Sequence, residues 1–422
     1  VNQTFVCLET TEPFTRKLAK TAAAEGDRLL FVSDGEGQPE GTARLRFDVR
    51  EDPAAAAAAI RAQCGDAPVA AVVTSEEVLV TAAAAMAEAL GVGRNSVAAL
   101  SAARDKAQMK QLWRAAGVST PHGRHLTSRK GLDLEQFTFP AIVKPARGFA
   151  SCGVRRVESG AELQDQLRRI GLFNATLIAK EGGASSGFLV EQCLEGPEYA
   201  VDTVWFDGEP VCEFILSRNW GAQATGPWFP DRLYLLDQTL PEERRRRILG
   251  LVRQAVAALG ISYGATHTEI RFHDEEPYVL EAAARPGAGG LFYQVLEHAH
   301  GVDFTRALYL SQVCADRAEF DRRLGTWEWR PVAADTGYFL YNLPYAGSGI
   351  VEEVVGLDEL DRREEVLWSV CLKEPGSHLP PYDDLNSDYF GHVIGRHVSR
   401  PGGPTLEELL ESLGTTVRVV YR

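Results

Sequence analysis

The sequence predicts a chain of mixed α/β and α+β class, with a parallel-sheet domain first and a small α+β lobe last. Three observations carry that expectation. Residues 1 to about 100 alternate short apolar runs with helical patterns, the rhythm of βαβ units. Residues 261–291 read as two strands about a short turn, with apolar and polar faces alternating. From about Gly325 the pattern changes to short strands separated by Gly and Pro. At 422 residues the chain exceeds one ordinary core, and about two to four domains are expected.

Composition bounds the function. A hydrophobic content of 45% and a charged content of 24% are ordinary for a globular protein in water. The net charge of −14 argues against a broad nucleic-acid surface and against an anionic membrane. It leaves room for a local cluster of Lys and Arg around a nucleotide. The seven Cys are scattered, with no CxxC and no His/Cys ligand spacing, which points to reduced thiols in a cytoplasmic protein. The stretch VNQTFVCLETTEPFTRK lacks the basic and apolar regions of a signal peptide. The Ala-rich runs near Ala54 and Ala82 are too short to span a bilayer.

In the first domain, residues 4–8, 29–33 and 69–74 are strands, and 13–25, 53–64 and 76–90 are helices. No GxGxxG follows the first strand, so a dinucleotide site there has little support. Residues 102–117 form an amphipathic helix closed by a glycine. Residues 141–144 and 154–157 are strands around the small-residue loop 146–153, whose backbone N–H groups can converge on phosphate. A plain hairpin turn is the alternative. Residues 188–193, 199–205 and 211–217 are strands, the last two joined at Asp207-Gly208. Residues 218–235 are loop-like, and Trp220, Trp228 and Phe229 there either cover a substrate or pack. Pro241 opens a helix with an apolar stripe of Ile248, Leu251, Val252, Ala255, Val256 and Leu259. Residues 292–310 are helical. In the last lobe, 337–341, 350–355, 367–372, 392–397 and 416–421 are strands, and Thr405 with Glu408 makes a capping box.

The hairpin of residues 261–291 has the most chemistry. Residues 273–277 are expected as its polar loop. Centring it on Glu275 sets Glu269 opposite Glu281 and His267 opposite Ala283, with Arg285 farther along the same face. Thr268, Ile270, Phe272, Leu280 and Ala282 then turn toward a core. Opposed carboxylates destabilise each other unless one is protonated or a cation bridges them. Two hard oxygen donors with an Arg beyond them suit Mg²⁺ carrying phosphates. An exposed hairpin with scattered charges is the alternative, and a one-residue slip would undo the pairing. Gly287, Gly289 and Gly290 leave space after Arg285, so room for a bulky first substrate is expected.

These residues resemble a known family. An acidic residue on one strand followed by Glu-x-x-x-Arg-Pro-Gly on the next is similar to the magnesium site of ATP-grasp ligases. The forms GATHTEI and EAAARPGAGG resemble the L-amino-acid ligase branch, which makes dipeptides. Three further stretches fit the same family in order. Asp105-Lys106 followed by a helix and Gly-Val-x-x-Pro resembles the segment whose Lys reaches nucleotide phosphates. Val-Lys-Pro with its small-residue loop resembles the lid, which implies Lys144, Ser151 and Gly153 at the phosphates. Val-Glu-Gln-x-Leu-Glu-Gly-x-Glu-Tyr resembles the hinge, which implies Glu191, Gln192 and the Leu194 backbone at adenine and Glu198 at ribose. Phe149 and Cys152 depart from the usual Gly and Ser of the lid loop. Ala283 stands where many members have Asn, leaving the metal site one ligand fewer.

The resemblance implies an ATP-grasp fold over nearly the whole chain. It implies a pre-ATP-grasp domain at 1–100, the ATP-grasp domain at 101–324 with its lid at about 122–192, and a C-terminal lobe at 325–422. It implies ATP and Mg²⁺ (or Mn²⁺) on Glu269 and Glu281, with Arg285 at the reacting groups; His267, beside Glu269, either orients substrate or assists deprotonation there, or is a structural histidine. The activity implied is carboxylate–amine ligation through an acylphosphate, with amino acids as small-molecule substrates; a homodimer is compatible with it. An ATP-grasp carboxylase component using bicarbonate and a non-catalytic nucleotide-binding module are the rival readings.

Overall fold

The computed structural model describes residues 3–50, 52–173, 187–218, 229–236, 238–383 and 389–422. The first strands form a four-stranded parallel sheet in the order Ala43–Arg46, Arg28–Ser33, Thr4–Leu8, Val69–Thr74. Helices Glu12–Ala24, Pro53–Cys64 and Val80–Leu90 connect or flank these strands, as the βαβ rhythm requires. The edge strand Ala43–Arg46 was not anticipated, because four residues reading ARLR carry no strand signature.

An antiparallel sheet follows, in the order Gly123–Leu126, Phe188–Gln192, Ala141–Pro145, Arg155–Val157. The central sheet has eight strands. It runs from Glu276–Ala283 through Gly264–His273, Glu198–Phe206, Glu209–Arg218 and Leu233–Leu236 to Thr336–Asn342, Gly391–Val398 and Val366–Cys371. Strands from residues beyond 325 thus extend the sheet that carries the hairpin. The segment expected as a loop at 218–235 contributes Leu233–Leu236, and Arg218 closes the strand before it. Trp220 and Trp228 lie outside the described residues.

Helix Glu242–Leu259 buries its stripe as its periodicity demands: Ile248, Leu251, Val252, Ala255, Val256 and Leu259 enter one core with Ile270, Phe272, Val279 and Ala282. Two half-buried arginines on it hold the hairpin tip, Arg244 on Glu275 at 2.5 Å and Arg247 on Glu276 at 2.6 Å.

Three local expectations are corrected. The helix expected at 102–117 is two helices, Val97–Arg104 and Lys106–Ala115. Asp105 breaks them: its extended backbone and its carboxylate, accepting from Ala107 and Gln108 N–H, make it the second helix's N-cap. The helix expected at 292–310 is likewise two, Leu291–His300 and Phe304–Val313, separated by left-handed Gly301 and the N-cap Asp303. The hairpin turns tightly on Asp274 and Glu275, both left-handed (φ 49° and 61°), rather than on a five-residue loop. That turn sets the register one residue away from the expected one near the tip, pairing Ile270 with Val279. A bulge at Leu280 restores it, so Glu269 still faces Glu281 and His267 faces Ala283. The bulge also sends Val279 into the core and leaves Leu280 on a cavity wall, the reverse of the expectation for Leu280.

Two stability measurements follow. Ile248→Ala removes a fully buried side chain from the core shared by helix and hairpin, and is expected to cost about 2–5 kcal/mol in urea unfolding. On the strand Gly391–Val398, burial holds the His392 imidazole down at about 4, its Nδ1 2.7 Å from Asn342 Oδ1. The unfolded chain therefore takes this proton first as the pH falls below 6.5, and stability drops through the window from 6.5 to about 4. Between about pH 7.5 and about pH 4.5 the unmodified protein is expected to lose about 2 kcal/mol more than His392→Gln.

Candidate functional site

One cavity of about 860 Å³ lies between the parallel sheet, the four-stranded antiparallel sheet and the central sheet. All the expected site residues line it except Gly153. Gly153, at φ 77°, turns the loop against Pro145 and Ile170 instead.

The opposed carboxylates are held from opposite sides. Glu269 is 2.9 Å from Arg218 Nη1, and Glu281 is 3.0 Å from Lys106 Nζ. Lys106 reaches it because the break at Asp105 puts this lysine on the first turn of its helix. Burial raises both carboxyl groups, but the environments divide them. Lys106, Lys144 and Arg285 outweigh burial at Glu281 and hold it at about 2. At Glu269, burial together with Glu281 and Glu198 outweighs Arg218 and leaves the group above the usual carboxylate range. The repulsion expected of the pair is thus expressed as a split between them.

Arg218 was missed as a site residue. It ties together Glu198, Asp231, Glu269 and Ser151, the last at 2.8 Å. A signal existed, since the turn at Asp207-Gly208 places Arg218 directly opposite Glu198. Glu198 also meets Arg271 at 2.9 Å, and Arg271 Nη1 donates to Leu194 O at 3.2 Å and lies over the Phe229 ring. Glu191 is 2.6 Å from Lys144 and 3.4 Å from Lys110, another cation the sequence did not single out. The buried atoms Glu191 Oε1 and Gln192 Oε1 have no hydrogen-bond partner. The orphan acceptor Gln192 Oε1, beside the apolar Leu194 and Phe229 on the cavity wall, fits a flat ligand with an amino group.

In the loop beyond Lys144, Ala150 and Ser151 are left-handed at φ 48° and 56°, a conformation costly for non-glycine residues. Arg104 and Lys106 both point at Gly148 O, at 3.0 and 3.4 Å.

At the other end of the cavity Arg285 Nε donates to Glu77 Oε2 at 2.7 Å. Glu76 beside it also lines the cavity, and burial raises its carboxyl group. His267 Nδ1 lies 2.7 Å from Asp202 Oδ1, whose Oδ2 accepts from Gly287 N at 2.8 Å. Its Nε2 is 3.9 Å from Glu269. The glycines after Arg285 do not leave space, contrary to expectation. A Cβ on Gly287 would meet Phe292, Asp202 and His267, one on Gly289 would lie 2.4 Å from Thr11, and one on Gly290 2.5 Å from Phe14. Helix Glu12–Ala24 and its N-cap fill that space, with Thr11 donating to Gly289 O at 2.7 Å.

Among the described residues no three His, Cys, Asp or Glu side chains cluster as a metal site. Glu269 and Glu281 alone still suit a hard divalent ion that keeps waters and phosphate oxygens as its other ligands. Ala283 is buried and supplies no donor.

Residues 137–293 match the family of ATP-grasp domains. The alanine–anticapsin ligase of Bacillus subtilis (strain 168) is 27% identical over 255 residues, 56% of this chain and 52% of that protein. A D-alanine–D-alanine ligase of Verminephrobacter eiseniae is 30% identical over 212 residues, 47% of this chain and 60% of that protein. The chain therefore spans a little over half the length of such relatives. The crystal structure of an L-amino acid ligase from Bacillus licheniformis superposes with a TM-score of 0.80 at 25% identity, covering 100% of this chain and 99% of that one. Residues 137–293 are thus similar to ATP-grasp domains, and along the whole fold the chain is similar to an L-amino acid ligase structure.

Proposed function

We propose that this protein joins the carboxylate of one amino acid to the amine of another, using ATP and releasing ADP and phosphate. The observation that carries this reading is a cavity in which an opposed carboxylate pair is ringed by Lys106, Lys144, Arg218 and Arg285. The amino-acid ligases it resembles support the substrate class.

The orphan acceptor Gln192 Oε1 and the Leu194 backbone suit the adenine end, and Glu198 the ribose. Lys144, Lys106 and Arg218 then lie along the phosphates, and residues 148–153 form a cover over them. Mg²⁺ on Glu269 and Glu281 would neutralise phosphate charge. A substrate carboxylate oxygen attacks the γ-phosphorus and the bond to ADP breaks, giving an acylphosphate. The amine nitrogen then attacks the acyl carbon, the bond to phosphate breaks, and the nitrogen loses a proton. Cations fixed before the reaction lower the barrier, because they need no reorganisation as charge moves to the leaving phosphate. Arg285 faces the reacting end, steadied by Glu77, and serves the oxyanion of the second step. His267, held by Asp202, orients the substrate there. Glu76 is suited to a substrate ammonium group.

The reading is tested by phosphate release with Mg·ATP across pairs of amino acids, with mass detection of products. Release that requires two amino acids, with a product at their summed mass less water, is expected. Bicarbonate-dependent release without an amino acid would instead make the protein a carboxylase component. Glu281→Ala is expected to lower turnover by about 100-fold or more. Full turnover in that variant would remove Glu281 from the metal site. Arg285→Met is expected to depress kcat by about 100-fold while leaving ATP affinity within about threefold, because it lies at the acyl end.

A further inference from the structure

Lys110 lies four residues beyond Lys106 on the same helix, hence on the same face, but behind the cavity wall rather than in it. Its side chain is fully buried. Its ammonium donates to Thr120 Oγ1 at 2.7 Å and to Val279 O at 3.2 Å, and lies 5.4 Å from the Trp113 ring centroid. The third direction is Glu191 Oε1, at 3.4 Å.

Glu191 is used unevenly. Its Oε2 is 2.6 Å from Lys144, while its Oε1 has no hydrogen bond. Lys144 and Glu191 alone make a neutral pair, closed on itself, and would offer incoming phosphates little net charge. If Lys144 left for a phosphate, an uncompensated carboxylate would stay behind in a buried place, which is strongly unfavourable. Lys110 removes both obstacles. In its protonated form it gives the trio a surplus positive charge, and it stands a few tenths of an ångström beyond hydrogen-bond length from the idle oxygen. Glu191 also acts on it in turn: burial pushes the Lys110 ammonium down to about 7, and the carboxylate opposes that shift.

We propose that Lys110 is a positioning residue for nucleotide binding: it takes over Glu191 when Lys144 turns from that carboxylate to phosphate. The proposal rests on the ATP-dependent reading above. It assigns Lys110 no contact with the nucleotide, so its effect must pass through Glu191.

The test is calorimetric binding of Mg·ATP to the unmodified protein, Lys110→Met, Glu191→Gln and the double variant. Lys110→Met is expected to weaken ATP binding by about tenfold or more and to leave the KM for amino acids unchanged; in the Glu191→Gln background the same change is expected to weaken it by less than about threefold. Equal weakening in both backgrounds, or none in either, would overturn the proposal, because a merely structural lysine acts whether or not the carboxylate is charged. A crystal structure of the unmodified protein with a non-hydrolysable ATP analogue decides the matter even if Lys110→Met does not fold. Lys110 is expected within about 3.0 Å of Glu191 Oε1, with Lys144 on phosphate. Lys144 still on Glu191, with Lys110 unmoved, would overturn the proposal while leaving ATP binding intact. Failure of the unmodified protein to bind ATP would overturn the ligase reading and this one together.

Discussion

Glu269 and Glu281 face each other across two antiparallel strands, and the ladder on either side keeps them from moving apart. Most of the cavity's charge follows from that confinement. Arg218 and Lys106 approach from opposite sides, each reaching one carboxylate. Each cation is itself anchored elsewhere: Arg218 on Glu198 and Asp231, and Lys106 at the start of a helix that Asp105 caps. The result is a lattice of alternating charge in which few groups lack a counterion. Such a lattice is costly to bury and costly to break. It holds its members in place before any substrate arrives.

The parts of this arrangement set by local chain geometry were legible in the sequence. The turn dipeptide Asp207-Gly208, the alternation along 264–284 and the stripe of the 242–259 helix each carry their own periodicity or turn chemistry. The opposition of Glu269 and Glu281 was also legible, although the assumed turn was wrong. The left-handed pair Asp274-Glu275 and the bulge at Leu280 offset each other by one residue. What was not legible depends on contacts between distant segments. Asp202 lies beside His267 because strands Glu198–Phe206 and Gly264–His273 pair without a turn between them. The glycines after Arg285 looked like open space because nothing in sequence places Thr11 and Phe14 against them. Asp105 was hidden for a different reason: the residues around it are good helix formers, so one helix read through the break.

Lys110 illustrates the same division. By spacing it belongs to the face that carries Lys106, and by composition it is an ordinary helical lysine. Only the packing of Thr120 and Val279 around it makes it a buried charge with a carboxylate in reach. Burial turns a solvated side chain into one whose partners are few and therefore specific.

The continuity of the central sheet bears on how this chain could be divided. Strand Leu233–Leu236 is covered on its far side by Thr336–Asn342, which brings two more strands with it. A chain ended near residue 325 would strip that cover. The row of backbone N–H and C=O groups left along Leu233–Leu236 would then be open to any passing strand. A fragment holding every side chain of the carboxylate pair would thus carry a self-associating edge a few strands away, and the last hundred or so residues act in part as its guard against aggregation.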